Sequence, residues 1–172
     1  MIPIESQNNP DEVISRIWFF GTGRDNCLGM GGMDCIRRDQ IEWFREESSK
    51  IDKDDVHRGN GIAFMSTPLQ EHMYLVNNFS VRGNKRDYSS CQALNTGFFA
   101  SAKQAGTISW ISTGTDHNTD FWGSFDGINL GYGRKTGVNS YGPKFEQKGA
   151  RVFKMTLDET SKEKATWETW IR

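Results

Sequence analysis

The stretch Thr107–Gly123, TISWISTGTDHNTDFWG, constrains this chain more than any other. Thr107–Thr113 is apolar and β-branched, which predicts a buried strand. Gly114 breaks the strand, and a polar loop follows from Thr115 to Asp120. A second strand is expected from Phe121. Loops just past a buried strand are where α/β proteins gather reactive side chains. This loop holds His117 between Asp116 and Asp120, so any chemistry in the chain is expected to pass through it.

The flanking sequence gives the loop a setting. Ile14–Phe20 reads as a strand, followed by the Gly-rich loop GTGRDNCLGMGGMD. That loop has neither GxGxxG nor GK[ST], which argues against a phosphate cradle. Asp39, with Glu42 three residues on, is expected to cap a helix reaching Lys50, with Ile41, Phe44 and Arg45 on one face. Lys50–Asn60 reads as a charged, exposed connection with His57 at its surface. Gly61–Ser66 is a predicted buried strand, Leu69–Leu75 a short turn or helix, and Val76–Ser89 irregular. A second helix is expected from Ser89 or Ser90, with Leu94, Phe98 and Ala102 as its stripe and Gly106 as its left-handed stop. Strand, helix, strand in that order implies a parallel crossover. Beyond the loop, Asp126–Gly127 lies between Phe121–Phe125 and Ile128–Tyr132, a two-residue hairpin signal. Arg151–Asp158 alternates, with Phe153, Met155 and Leu157 on one face. Glu159–Lys164 reads as a charged turn and Ala165–Arg172 as a last strand. The expectation is a polar lead-in over 1–13 and one α/β domain over 14–172, with a mixed sheet ending in antiparallel hairpins.

Charge narrows the partners. The 172 residues carry 21 basic and 22 acidic side chains, a formal net charge of −1. That balance predicts no nucleic-acid partner and no anionic-membrane partner. No run approaches the roughly 20 apolar residues of a membrane helix, so direct membrane insertion is not expected. Cys27, Cys35 and Cys91 form no CxxC pair. They read as free thiols in a reducing compartment, with one bridge possible. With no visible targeting signal, the chain is expected to be soluble, and intracellular rather than secreted.

His117 is the best metal-ligand candidate. A neutral imidazole suits Zn, Fe or Mn, and Asp116 or Asp120 could join it or orient its ring. The bland alternative is a loop histidine hydrogen-bonded to one of those carboxylates. A catalytic metal site takes about three or more protein ligands. The chain has three histidines, His57, His72 and His117, with no HxH or HxxxH pair. Asn118 and Arg134 are candidate contacts for an anion. A Ser66–His117 nucleophilic pair lacks the elbow context. Trp110, Trp122, Trp167 and Trp170 read as sheet packing rather than a sugar platform.

LNTGFFASAKQAGTISWISTGTDHNTDFWGSFDGINLGYG resembles the C-terminal catalytic segment of the calcineurin-like metallophosphoesterases, in their purple-acid-phosphatase-like branch. There the stretch runs roughly "NSGFF…AGDV…FTGHDHxNDF…GxxLxYG". IAFMSTPLQE is similar to the branch's "FHIPLPE" and IWFFGTGRDN to its "FLDSGDY". The resemblance extends from Ile17 to Leu157. It implies half of an α/β/β/α sandwich whose complete form holds a dinuclear Fe, Zn or Mn centre that activates water against a phosphoester. The DxH, GDxx and GNH[DE] motifs of the family's first half are absent. Of the second half's three histidines, the one in FHIPLPE falls on Ser66 and the first of GHDH on Thr115; only the last meets a histidine, His117. Hydroxyls replace imidazoles poorly on these metals. The resemblance therefore implies a degenerate, inactive module with no cofactor, kept as a structural or interaction subunit. Other protein chains would cover its open sheet face or edge. The rival expectation is a metal-dependent phosphatase whose other half lies on a missing segment or a partner chain.

Overall fold

A computed structural model describes residues 1–142, 147–158 and 165–172. The charged turn expected at 159–164 lies outside the described residues. Eight strands, three α-helices and a short 3-10 turn (Cys27–Gly29) are described. β1 (Ile2–Glu5) and β2 (Val13–Phe20) lead to α1 (Arg38–Ser49), β3 (Ile62–Met65), α2 (Gln70–Asn78) and α3 (Phe98–Ala105). β4 (Trp110–Thr113), β5 (Trp122–Phe125), β6 (Ile128–Tyr132), β7 (Arg151–Thr156) and β8 (Thr166–Ile171) follow.

Six strands form one mixed sheet in the order β1-β2-β3-β4-β6-β5. β2, β3, β4 and β6 are parallel, and β1 and β5 run antiparallel at the two edges. The register places Trp18, Ala63, Ile111 and Leu130 side by side on one face. All four are buried. The helices cover this face through aromatic edges: Trp18 on Phe44 at 5.0 Å, Phe20 on Phe98 at 4.5 Å, and Phe44 on Phe98 at 5.4 Å. β7 and β8 pair as a separate antiparallel hairpin. Phe153 of β7 packs on Phe64 at 5.8 Å and Trp110 at 5.2 Å, so the hairpin lies against the opposite face. The layers are thus helices, sheet and hairpin, an α/β/β arrangement matching part of a phosphoesterase-type sandwich.

The Asp126–Gly127 turn joins β5 and β6 with both residues at positive φ (45° and 81°), as a type I′ hairpin requires. Gly61 allows a close backbone approach: a Cβ there would stand 2.1 Å from the Thr107 carbonyl oxygen. Gly106 ends α3 at φ 66°, in the left-handed conformation.

Several local expectations are corrected. The lead-in supplies β1: Ile2 pairs with Ile17 and Ile4 with Ser15. Asp39 lies inside the first turn of α1 rather than at its cap. Gln40 reaches back instead, its Oε1 accepting from the Arg37 N–H at 2.8 Å, while Glu42 pairs with Arg38 at 2.7 Å. The buried positions of α1 are Ile41, Phe44 and Ser48, and Arg45 is exposed. Ser48 fits because its hydroxyl meets that of Thr107 at 3.0 Å. α2 extends to Asn78. α3 starts only at Phe98, because Gly97 before it is left-handed (φ 85°), which leaves Leu94 outside the helix.

His57 is buried, not solvated. Its Nδ1 accepts from the Asn60 amide at 3.4 Å, which leaves Nε2–H to donate to Glu12 at 3.2 Å. Cys27 and Cys35 form a disulfide, the one bridge that the sequence leaves possible, and Cys91 is a thiol. Among the described residues no helix is long and apolar enough to cross a membrane.

Candidate functional site

Parallel pairing aligns the C-terminal ends of β2, β3, β4 and β6 on one edge of the sheet. The chain leaves that edge at Thr22, at Ser66 and Thr67, at the loop Gly114–Asp120, and at Arg134. Beneath the edge, Thr22 and Thr67 are buried. Thr22 Oγ1 accepts from the Thr67 N–H at 3.0 Å and lies 3.1 Å from the Thr67 hydroxyl. Gln92, also buried, accepts from the Ile36 N–H at 3.1 Å and donates to the Thr67 carbonyl at 3.3 Å. This polar seam joins the loop after β2 to the end of β3.

Ser66 and Thr115, the two positions where the resemblance expects histidines, are brought together. The Thr115 hydroxyl donates to the Ser66 carbonyl at 2.7 Å. The Thr113 hydroxyl and the Gly114 N–H reach the same oxygen. The loop's first turn is therefore closed onto the end of β3 by the Thr113 and Thr115 hydroxyls.

The carboxylates of the loop point elsewhere. Asp116 is buried, and its Oδ2 accepts from the Tyr132 hydroxyl at 2.9 Å and the Ser90 N–H at 3.0 Å. Burial first, and then the Asp116 charge, push the Tyr132 phenol far above its ordinary range, so it stays a donor. Asp120 is also buried; its Oδ1 accepts from the Asn84 N–H at 2.7 Å and its Oδ2 from Arg134 Nε at 2.8 Å. Gly83 permits that approach, since a Cβ there would stand 2.7 Å from the Asp120 carbonyl. Asn118 is held by Asp87, through its N–H at 2.8 Å and its amide at 2.9 Å. Asp116, Asp120 and Asn118 thus brace the loop to the segment 84–90.

His117 faces a different partner. Its Nδ1 lies 2.7 Å from the Tyr141 carbonyl, and the two rings stack at 4.2 Å. A carbonyl only accepts, so Nδ1 carries a proton, and in the neutral ring the lone pair is on Nε2. Metal-bound histidines commonly have this orientation, the second nitrogen donating to a backbone carbonyl. The rest of a donor set is not assembled around it. Among the described residues, the one group of three or more clustered His, Cys or carboxylate ligand atoms is Cys27, Asp34 and Cys35. Its two sulfurs are joined to each other. The described residues therefore do not fit a dinuclear centre at His117.

His72 is fully buried in α2, and its ring meets that of Tyr132 edge-on at 5.7 Å. Burial lowers its pKa from 6.5 to about 4, which keeps it a neutral core residue. Sequence reasoning missed Asp87, Ser90, Asn84 and Tyr141. All four lie in stretches without periodicity, where no local pattern marks a long-range brace.

Comparison with curated proteins identifies three relatives, all from Arabidopsis thaliana. "Probable inactive purple acid phosphatase 29" is 29% identical over 156 residues, covering 83% of this chain and 40% of the relative. "Probable inactive purple acid phosphatase 28" is 26% identical over 164 residues, covering 91% and 40%. "Probable inactive purple acid phosphatase 14" is 23% identical over 134 residues, covering 74% and 33%. The chain thus spans less than half the length of these relatives. No protein-family profile matches it, and no solved structure does. Most of this chain is similar to part of the purple-acid-phosphatase-like branch of the calcineurin-like metallophosphoesterases.

Proposed function

We propose that the chain is a degenerate phosphoesterase-like module that has lost hydrolysis and serves as an interaction subunit of a larger assembly. The observation that carries this reading is the Thr115 hydroxyl donating to the Ser66 carbonyl. Two ligand positions close on each other, and His117 stands as a lone imidazole beside them. The names of the relatives, which call those proteins inactive, agree with it. The interaction role is supported by the face that the hairpin covers only in part. Phe19 is 56% exposed there, stacked on Phe64 at 5.8 Å. Large exposed rings beside an edge strand suit a protein partner.

The test is hydrolysis of an aryl phosphate by the purified chain in Zn, Mn or Fe. The reading expects a rate equal to that of a His117→Ala variant. A metal-dependent rate abolished by that substitution would overturn it.

A second reading has its own support. The Nδ1–H of His117 is anchored on the Tyr141 carbonyl, so Nε2 is oriented as a ligand would be. A phosphatase completed by a missing segment or a partner chain would use this nitrogen. Activity that appears only in a reconstituted complex, and disappears with His117→Ala, would favour it.

A further inference from the structure

We propose that Asn78 carries an N-linked glycan and that the chain is made in an oxidising, glycosylating compartment. Asn78-Phe79-Ser80 is the one Asn-x-Ser/Thr triplet in the 172 residues, and its middle residue is not proline. This reading uses none of the positions that the resemblance gives to metal ligands and stands apart from any phosphoesterase role.

Position gives the triplet its weight. Asn78 is the last residue of α2, and Phe79 after it turns to an extended backbone (φ −132°, ψ 164°). Asn78, Phe79 and Ser80 are all exposed, so the fold leaves room for a large polar group there. A side-chain amide has two N–H groups. The Asn78 amide donates to the Tyr74 carbonyl at 2.8 Å. That bond needs only one N–H, so an amide substituted once at Nδ2 can keep it.

The surroundings suit a sugar. A groove of about 320 Å³ lies beside Asn78, lined also by Gln70, Glu71, Tyr74, Asn77 and Asn95. Their amides and carboxylate offer the mixture of donors and acceptors that sugar hydroxyls match. Tyr74 and Phe79, 54% and 52% exposed, have their rings 6.1 Å apart. Both rings also meet Phe125, at 5.6 and 5.8 Å. Clustered exposed rings invite association. A glycan rooted at Asn78 would shield them and keep this face soluble.

The Cys27–Cys35 disulfide is an independent observation pointing the same way. Such bridges form and persist in oxidising compartments and outside the cell. Asparagine-linked transfer marks secreted proteins. On this reading the intracellular expectation gives way to a lumenal or extracellular one. The donor is a lipid-pyrophosphate-linked oligosaccharide, delivered by a transferase. Asn78 Nδ2 forms a bond to C1 of the first sugar. The C1–O bond to the lipid pyrophosphate breaks, and the pyrophosphate leaves with the electron pair. The displaced amide proton passes to a base of the transferase.

The test is peptide mass spectrometry on the chain from its native source, treated with peptide-N-glycosidase in heavy-oxygen water. The expected result is conversion of Asn78 to heavy-oxygen-labelled aspartate, with thiol alkylation in the absence of reductant at Cys91 alone. A peptide found only with unmodified, unlabelled Asn78 would overturn the proposal. So would alkylation of Cys27 and Cys35 without reductant. A second measurement uses the full chain secreted from eukaryotic cells behind an added leader. It should show a single gel shift that the glycosidase removes. Ser80→Ala should abolish that shift and Ser80→Thr should keep it. Asn78→Gln also removes the acceptor but disturbs the Tyr74 bond, so Ser80→Ala is the cleaner variant. No shift in the secreted chain, or a glycosidase-sensitive shift that survives Ser80→Ala, would contradict the assignment.

Discussion

Trp18 and Phe19 are neighbours in β2 and belong to two different worlds. Trp18 faces the helices and is completely buried. Phe19 faces the other way and is 56% exposed. The helix-covered face is a finished core of Trp18, Phe20, Phe44, Phe98, Ile111 and Leu130. The opposite face is covered by a two-stranded hairpin that reaches Phe64 and Trp110 but leaves Phe19 in solvent. The difference separates what folds this chain from what would recognise something else. The central loop repeats the contrast on a smaller scale. Its carboxylates are turned inward as braces, and its imidazole is left at the rim.

The largest expected effect breaks the finished face. Trp18→Ala should cost about 3–5 kcal/mol in denaturant unfolding, as for other fully buried large rings. Phe19→Ala should cost less than about 1 kcal/mol, because most of that ring is already in water. Equal losses would mean that the second face is closed by this chain after all.

Acid probes the same core through His72. Its folded pKa is lowered to about 4, below the 6.5 of an unfolded histidine. The unfolded chain therefore binds the proton first. The stabilising contribution is complete above pH 6.5 and is lost as pH falls toward 4, by about 3 kcal/mol in total. A His72→Met variant should show a flatter fall in stability over that interval. An unchanged slope would remove His72 from the account.

The braces come next. Asp120→Asn removes the nearly buried carboxylate that pairs with Arg134 and accepts from the Asn84 N–H. The expected loss is about 2 kcal/mol by thermal or denaturant unfolding. Proteolysis should then cut within Gly114–Asp120 more readily. His117→Ala should change stability by less than about 0.5 kcal/mol, as for a residue at the rim. Should His117→Ala prove as costly as Asp120→Asn, the distinction between brace and rim would fail.

Much of the fold was legible because its signals are local. Asp126–Gly127 announced the β5–β6 turn, Gly106 the end of α3, and the β-branched run before Gly114 the strand β4. What escaped depends on distant partners. His57 looked solvated because Glu12 and Asn60, which bury it, share no pattern with it. β1 looked like a tail because two isoleucines among polar residues become a strand only when β2 lies beside them. The Cys27–Cys35 bridge was one of several pairings that an odd count allowed. In the site, His117, Ser66 and Thr115 were legible as a group through resemblance. The inward turn of Asp116 and Asp120 was not, since it depends on Ser90, Tyr132, Asn84 and Arg134.

The proposed loss of metal chemistry turns on the loop after β4, where the Thr115 hydroxyl closes on the Ser66 carbonyl and His117 stands at the rim. Elemental mass spectrometry on the chain purified in its native context tests it most directly. The account predicts Zn, Fe and Mn far below one equivalent per chain, with no change in His117→Ala. One or more equivalents, lost in His117→Ala, would contradict it.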